Sequence, residues 1–217
     1  MRRNDVSLKV EDGPETDVLI VEGADDFFAL KELLTKFKLL GKIRLEEGGG
    51  YSRIRESIDT RVDGSNLERF GVIVDADEDI RARWESISGA FKDAGYVNMP
   101  VDPDPLGTII TRNGYPTIGI WIMPDNQLPG EIEDFIRLLV PSDDTLWLHA
   151  ENAVANIPPS ERLFKDSVAK ALLHTWLAWQ KEPGKPIGLA IIKRYLSTET
   201  NAALQLKNWL LRLFLPN

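Results

Sequence analysis

Cysteine is absent from this 217-residue chain. That excludes disulfides and thiolate metal sites, and it fits the reducing cytoplasm, the location expected here. Histidine is nearly absent: only His149 and His174 occur, so no imidazole cluster is on offer as a ligand set. No apolar run reaches the ~18–20 residues that a membrane span requires, and no membrane partner is expected. The first 16 residues carry charges but no apolar signal-peptide core, and they read as a polar lead-in. Internal repeats, low-complexity tracts and coiled-coil heptads are missing as well.

What is present is a globular composition, 43% hydrophobic and 28% charged, with a net charge of −8. The charge is unevenly distributed. Residues 1–150 hold 17 Lys/Arg against 29 Asp/Glu, a net of −12, and residues 151–217 hold 9 against 5, a net of +4. An acidic balance argues against non-specific nucleic-acid binding by the first part, while the second part is basic.

The apolar runs Asp17 to Glu22, Phe70 to Asp75 and Thr117 to Met123 read as buried parallel strands, with a fourth strand at Lys42 to Glu46. Helical spacing marks Asp25 to Leu40, stopped by Gly41, then Ser52 to Val62 and Ile80 to Ala94, stopped by Gly95. A β-α-β-α-β-α order predicts an α/β fold with a mostly parallel, doubly wound sheet. Residues 96–117 read as loops with room for a hairpin, and Glu131 to Leu139 as a short helix. Beyond Pro141 helices are expected at Leu146 to Ile157, Ser160 to Gln180 (with Ser160 as N-cap), Ile187 to Tyr195 and Thr200 to Phe214. The domain reading is an α/β domain over 1–140 and a helical extension over 141–217, packed on it.

Ligands bind beyond the carboxyl ends of parallel strands. Glu22 ends the first apolar strand and Asp75 the third. Asp77 lies just beyond, and Asp125 follows Met123 at a similar level. Alternate residues of an extended segment share a side, so Asp75 and Asp77 are expected to reach one ion. Clustered carboxylates repel unless a cation neutralises them, and an all-oxygen donor set favours Mg²⁺ or Mn²⁺. As a bland alternative, Glu22, Asp26, Glu131 and Glu133 all sit at helix starts, where acids are favourable anyway. Asp79 reads as an N-cap, Lys170 as part of a solvated stripe pairing with Asp166 at i,i+4, and Trp176 and Trp179 as packing anchors. Gly48-Gly49-Gly50-Tyr51 reads as a turn rather than a phosphate loop, lacking the Lys-Ser/Thr of a P-loop.

Val21-Glu22-Gly23-Ala24-Asp25-Asp26 before a helix, with Val72-Ile73-Val74-Asp75-Ala76-Asp77 downstream, resembles the two signature motifs of the Toprim (Rossmann-like) fold. That fold occurs in topoisomerases, bacterial primases, recombination mediators and OLD-type nucleases. Gly119 to Asn126, Gly130 to Phe135, and His174 to Gln180 followed by Pro183-Gly184 resemble the narrower Toprim-like family DUF3226. The resemblance implies that Glu22 is a metal ligand or general acid/base and that Asp75 and Asp77 bind metal. By likeness to OLD-type nucleases it implies a second cation held by Asp26 with candidates among Glu131, Glu133 and Asp134, and a lysine, Lys170, at the scissile phosphate. Gly23, Lys170 and His174 are expected to contact substrate. The implied activity is Mg²⁺- or Mn²⁺-dependent hydrolysis of DNA or RNA phosphodiesters, with an ABC-type ATPase as partner in phage defence; a homodimer is left open. A non-catalytic module binding metal or phosphate within a complex is the alternative, and a phosphatase or phosphotransferase the third. No catalytic-tyrosine context, zinc module or helicase-binding part is recognisable, which argues against a topoisomerase or a primase.

Overall fold

The computed structural model describes residues 8–63, 66–164 and 168–216. Six strands form one sheet in the order β1-β3-β2-β4-β6-β5. The four inner strands, β3 (Arg44–Glu47), β2 (Asp17–Val21), β4 (Arg69–Asp75) and β6 (Thr117–Met123), are mutually parallel. The short edges β1 (Val10–Glu11) and β5 (Thr108–Ile110) run antiparallel to their neighbours. This is the mostly parallel α/β sheet that the apolar runs predicted. β1 falls inside the segment expected to be only a lead-in: Val10 and Glu11 pair with Glu46 and Leu45, a two-residue signal too short to read from periodicity.

Side chains of the inner strands alternate between two cores, as strand geometry requires. Val18 and Ile20, Val72 and Val74, and Ile118, Ile120 and Ile122 face one core, which α2 (Tyr51–Asp63) and α3 (Ile80–Asp93) cover with Ile54, Ile58, Trp84, Ile87 and Phe91. Leu19, Val21, Ile73, Trp121 and Met123 face the other, covered by α1 (Ala24–Phe37), α4 (Ile132–Arg137), α5 (Thr145–Ala155), α6 (Val168–Ala178), α7 (Ile187–Ile192) and α8 (Asn201–Phe214).

The last helix lies directly on the sheet. Gly71 and Gly119 are register partners on β4 and β6. A Cβ on Gly119 would come within 2.3 Å of Leu213, and one on Gly71 within 2.9 Å of Phe214. The two glycines leave the space that α8 fills with Trp209, Leu213 and Phe214, all at most 1% exposed. Residues 141–217 thus complete one of the two main cores rather than capping a finished one.

Several boundaries differ from expectation. α1 stops at Phe37, before Gly41, because Lys38 adopts a left-handed conformation (φ 61°) and returns its N–H to the last turn. The single helix expected over 160–180 is two pieces: a 3-10 turn at Pro159–Glu161, then α6 from Val168. Ser160 therefore lies inside that turn and caps nothing. Arg162 holds the turn by donating to the carbonyls of Ile157 and Ala155. Trp176 is buried as expected, but Trp179 is 43% exposed beyond the end of α6. Asp166, the expected partner of Lys170, lies outside the described residues. Among the described residues no helix is long and apolar enough to cross a membrane.

Asp144 joins α5 to α6. Its Oδ1 accepts from the N–H groups of Leu146 and Trp147 as the N-cap of α5, and its Oδ2 accepts from Trp176 Nε1 at 3.1 Å. Loss of a cap costs about 1 kcal/mol and loss of a partly buried hydrogen bond to a charged acceptor about as much again. Asp144→Ala is therefore expected to lower unfolding free energy by about 2 kcal/mol, measured by denaturant titration. A loss under about 0.5 kcal/mol would show that Trp176 finds another partner.

Candidate metal centre

The carboxyl ends of β2 and β4 bring distant acids to one sheet edge. Val21 pairs with Ile73, so Glu22 and Asp75 leave neighbouring strands one residue out of register. Glu22 Oε1 accepts the Asp75 backbone N–H at 2.9 Å, and the N–H of Tyr51, at the start of α2, supports the same carboxylate. Burial nevertheless holds the Glu22 pKa above the usual carboxylate range, against those two N–H groups and the Arg83 charge.

The expected sharing of a side by Asp75 and Asp77 does not hold. β4 ends at Asp75, and Asp77 turns left-handed (φ 53°). The Asp77 backbone is clipped to Gly130, just ahead of α4, by N–H to carbonyl bonds of 3.1 and 2.8 Å. The Asp77 carboxylate is 56% exposed and pairs with Arg83 of α3. Arg83 Nη1 also lies 4.0 Å from Glu22 Oε1, and its guanidinium stacks 3.7 Å from the Tyr51 ring centroid. Glu22 and Asp77 are thus linked through Arg83 on the α2/α3 side of the sheet.

Asp75 keeps different company. Burial first, then the charges of Asp26, Glu22, Glu133 and Glu131, push its pKa up to about 9. Asp26, on the first turn of α1 and 6% exposed, is pushed up to about 7 by burial foremost and by the charges of Glu22 and Glu133. Its Oδ2 accepts the Gly23 N–H at 3.3 Å, so Gly23 serves as the N-cap position of α1. Asp26 Oδ1 and Asp75 Oδ1 are buried and accept no hydrogen bond. Glu133 of α4, 2% exposed, meets Lys170 of α6 at 3.0 Å, and Lys170 also lies 3.8 Å from Asp25. Glu131 is raised by burial and by the Glu133 charge, the nearby Lys170 opposing. The Lys170 pKa is itself raised, chiefly by its bond to Glu133.

The sequence-derived acids Glu22, Asp26, Asp75, Asp77, Glu131 and Glu133 therefore gather at one edge, with Lys170 among them. His174 does not join that contact network: it is exposed on α6, four residues beyond Lys170. Asp125 is taken up locally, accepting the N–H groups of Gln127 and Leu128. Asp79 is the N-cap of α3, bonding the N–H groups of Arg81 and Ala82. Gly48 and Gly50 donate to the carbonyls of Val21 and Glu22, so that loop braces β2.

Sequence reasoning missed two members. Arg83 sits six residues beyond Asp77 in a helix rich in arginine, where it reads as a surface charge. Tyr51 follows three glycines; its hydroxyl is buried without a hydrogen-bond partner, and it lines, with Arg83, Asp77, Glu131 and Asp134, a cleft of about 700 Å³. Among the described residues no three carboxylates or imidazoles converge closely enough to hold a metal ion as they stand. Arg83 and Lys170 lie among the acids instead. The donors are all oxygens, the type that hard divalent cations take, and two of the buried ones accept nothing.

No curated protein and no solved structure matches this chain. A family described as "Protein of unknown function (DUF3226)" matches residues 16–215, from just ahead of β2 through α8. The chain belongs to the DUF3226 family.

Proposed function

We propose that the chain is a Toprim-type, Mg²⁺- or Mn²⁺-dependent phosphodiester hydrolase that cuts DNA or RNA. The observation that carries this reading is the pair of buried oxygens, Asp26 Oδ1 and Asp75 Oδ1, that accept no hydrogen bond beside Glu22 and Glu133 at the carboxyl edge of the sheet. Buried polar atoms are ordinarily satisfied, and a cluster of four acids is costly to leave so.

Glu22 and Asp77 would hold one cation, and Asp75, Asp26 and Glu133, with Glu131 alongside, a second. Bound there, the cations supply Lewis-acid charge to the phosphate and a nucleophile at neutral pH. The chain's own groups prepare the site. The Asp75 and Tyr51 N–H groups fix Glu22 in one orientation. Lys170, tied to Glu133, brings a positive charge to the mouth where charge builds on the phosphate. An ATPase partner belongs to this reading through the resemblance to OLD-type nucleases alone.

Supercoiled plasmid incubated with the protein and Mn²⁺ should be nicked, with no nicking in chelator and none by Asp75→Ala. Equal nicking by wild type and variant would remove the proposal. A second reading, a non-catalytic module binding metal or phosphate within a complex, is favoured by one observation: the cleft is lined by Asp77, Glu78, Asp79, Glu131 and Asp134 against Arg83. Such a mouth repels a polyanion until cations are bound.

A further inference from the structure

Arg83 is placed unlike a surface arginine. Its side chain keeps only 11% of its surface, although its helix faces solvent at Arg81 and Ala82. The guanidinium carbon lies 3.7 Å from the Tyr51 ring centroid, and the group bridges Asp77 and Glu22. It also lines the cleft that Asp77, Glu131 and Asp134 border. A planar, weakly hydrated guanidinium is suited both to stacking and to two-pronged contact with carboxylate or phosphate.

Both of its carboxylate partners belong to the proposed cation site. Arg83 and a divalent cation are therefore rivals for the same two side chains. Glu22 and Asp77, if they held a cation, would no longer be partners for the guanidinium, which would face a like charge. The Tyr51 ring holds it at the cleft wall, facing any anion that enters the cleft.

We infer that Arg83 is the phosphate-binding residue of this site, parked across Asp77 and Glu22 until a divalent cation displaces it toward a phosphate in the cleft. Cation and phosphate then bind in that order, each favouring the other, because a coupling between two sites is reciprocal. This inference rests on the metal reading above and adds the order of binding and the residue that enforces it.

Mn²⁺ titration of the whole chain, read by the electron paramagnetic resonance of the free ion, tests the first half. Arg83→Gln should bind Mn²⁺ about five-fold more tightly than wild type, because the rival charge is gone. With Mn²⁺ saturating, the affinity for a fluorescent phosphorothioate oligonucleotide should fall about ten-fold in the same variant. Arg83→Lys keeps the charge but not the plane. It should leave Mn²⁺ affinity within about two-fold of wild type and still weaken oligonucleotide binding several-fold. That variant carries the test if Arg83→Gln loses its far-ultraviolet dichroism. Equal or weaker Mn²⁺ binding by folded Arg83→Gln, or unchanged oligonucleotide affinity in either variant, overturns the inference and leaves the metal reading standing. Absence of Mn²⁺ binding in wild type and variants alike overturns both.

Discussion

Asp75→Asn should melt at a higher temperature than wild type in chelator at pH 8, while losing at least ~100-fold in Mn²⁺-dependent activity. Asp75 contributes a buried oxygen without a hydrogen-bond partner, amid four other acids. In the metal-free protein its ionised form is a liability, since burial and neighbouring charge both oppose it. The sign follows from proton counting. The unfolded carboxyl titrates near 3.8, and the folded one at about 9. Between these values the native state holds a proton that the unfolded state lacks, so stability falls as pH rises. Asp26, folded at about 7, adds a second proton to the lower part of that window. Metal-free wild type should thus lose stability most steeply from about pH 4 to 7, and more slowly from 7 to about 9. Asp75→Asn should flatten the upper portion, and saturating Mg²⁺ should reverse the trend by favouring the ionised acids. Thermal melts across pH in chelator, repeated with Mg²⁺, decide it. A variant that melts lower than wild type at pH 8 and retains Mn²⁺ affinity would leave Asp75 an ordinary structural acid.

Trp209→Ala should cost ~4 kcal/mol, a large part of the stability of a domain of this size. Trp209 is fully buried in α8, its ring 5.7 Å from that of Trp121 on β6 and its Nε1 donating to the Thr108 carbonyl of β5. Space left by Gly119 and Gly107 is filled by the same indole. Removing it leaves a cavity over the central strands that the backbone of β4 and β6 cannot collapse into. A chain ending before Asn201 should show no cooperative unfolding transition at all. Calorimetry on both proteins checks this; a truncated chain with a sharp transition would mean that the sheet tolerates an uncovered face.

The parts of the fold visible in the sequence are those carried by burial on both sides. β2, β4 and β6 are continuous apolar runs because helices cover both faces of the sheet. Their ends located Glu22 and Asp75 for the same reason. Short and irregular pieces escaped. β1 is two residues long, and residues 162–164 leave the helical path within an otherwise helical spacing. The site was half legible. Acids announce themselves at strand ends, but whether Asp77 continues a strand depends on a single left-handed residue and on its clip to Gly130, 53 positions away. Arg83 and Tyr51 carried no local signal. Their importance arises only when α2 and α3 lie side by side, setting the guanidinium on the ring. His174 is exposed on α6 one turn beyond Lys170, outside the ion pairs that Lys170 makes with Glu133 and Asp25.

The seating of α8 against Gly71 and Gly119 bears on how the molecule comes into being on the ribosome. Vectorial synthesis delivers the acids of β2 and β4 long before residue 214 clears the exit tunnel. Until then the stretch of β4 and β6 at Gly71 and Gly119 lacks its apolar cover, and the nascent chain has every reason to engage a chaperone. Chemical competence would then arrive in one late event, once α8 seats on the sheet, and not by degrees during translation.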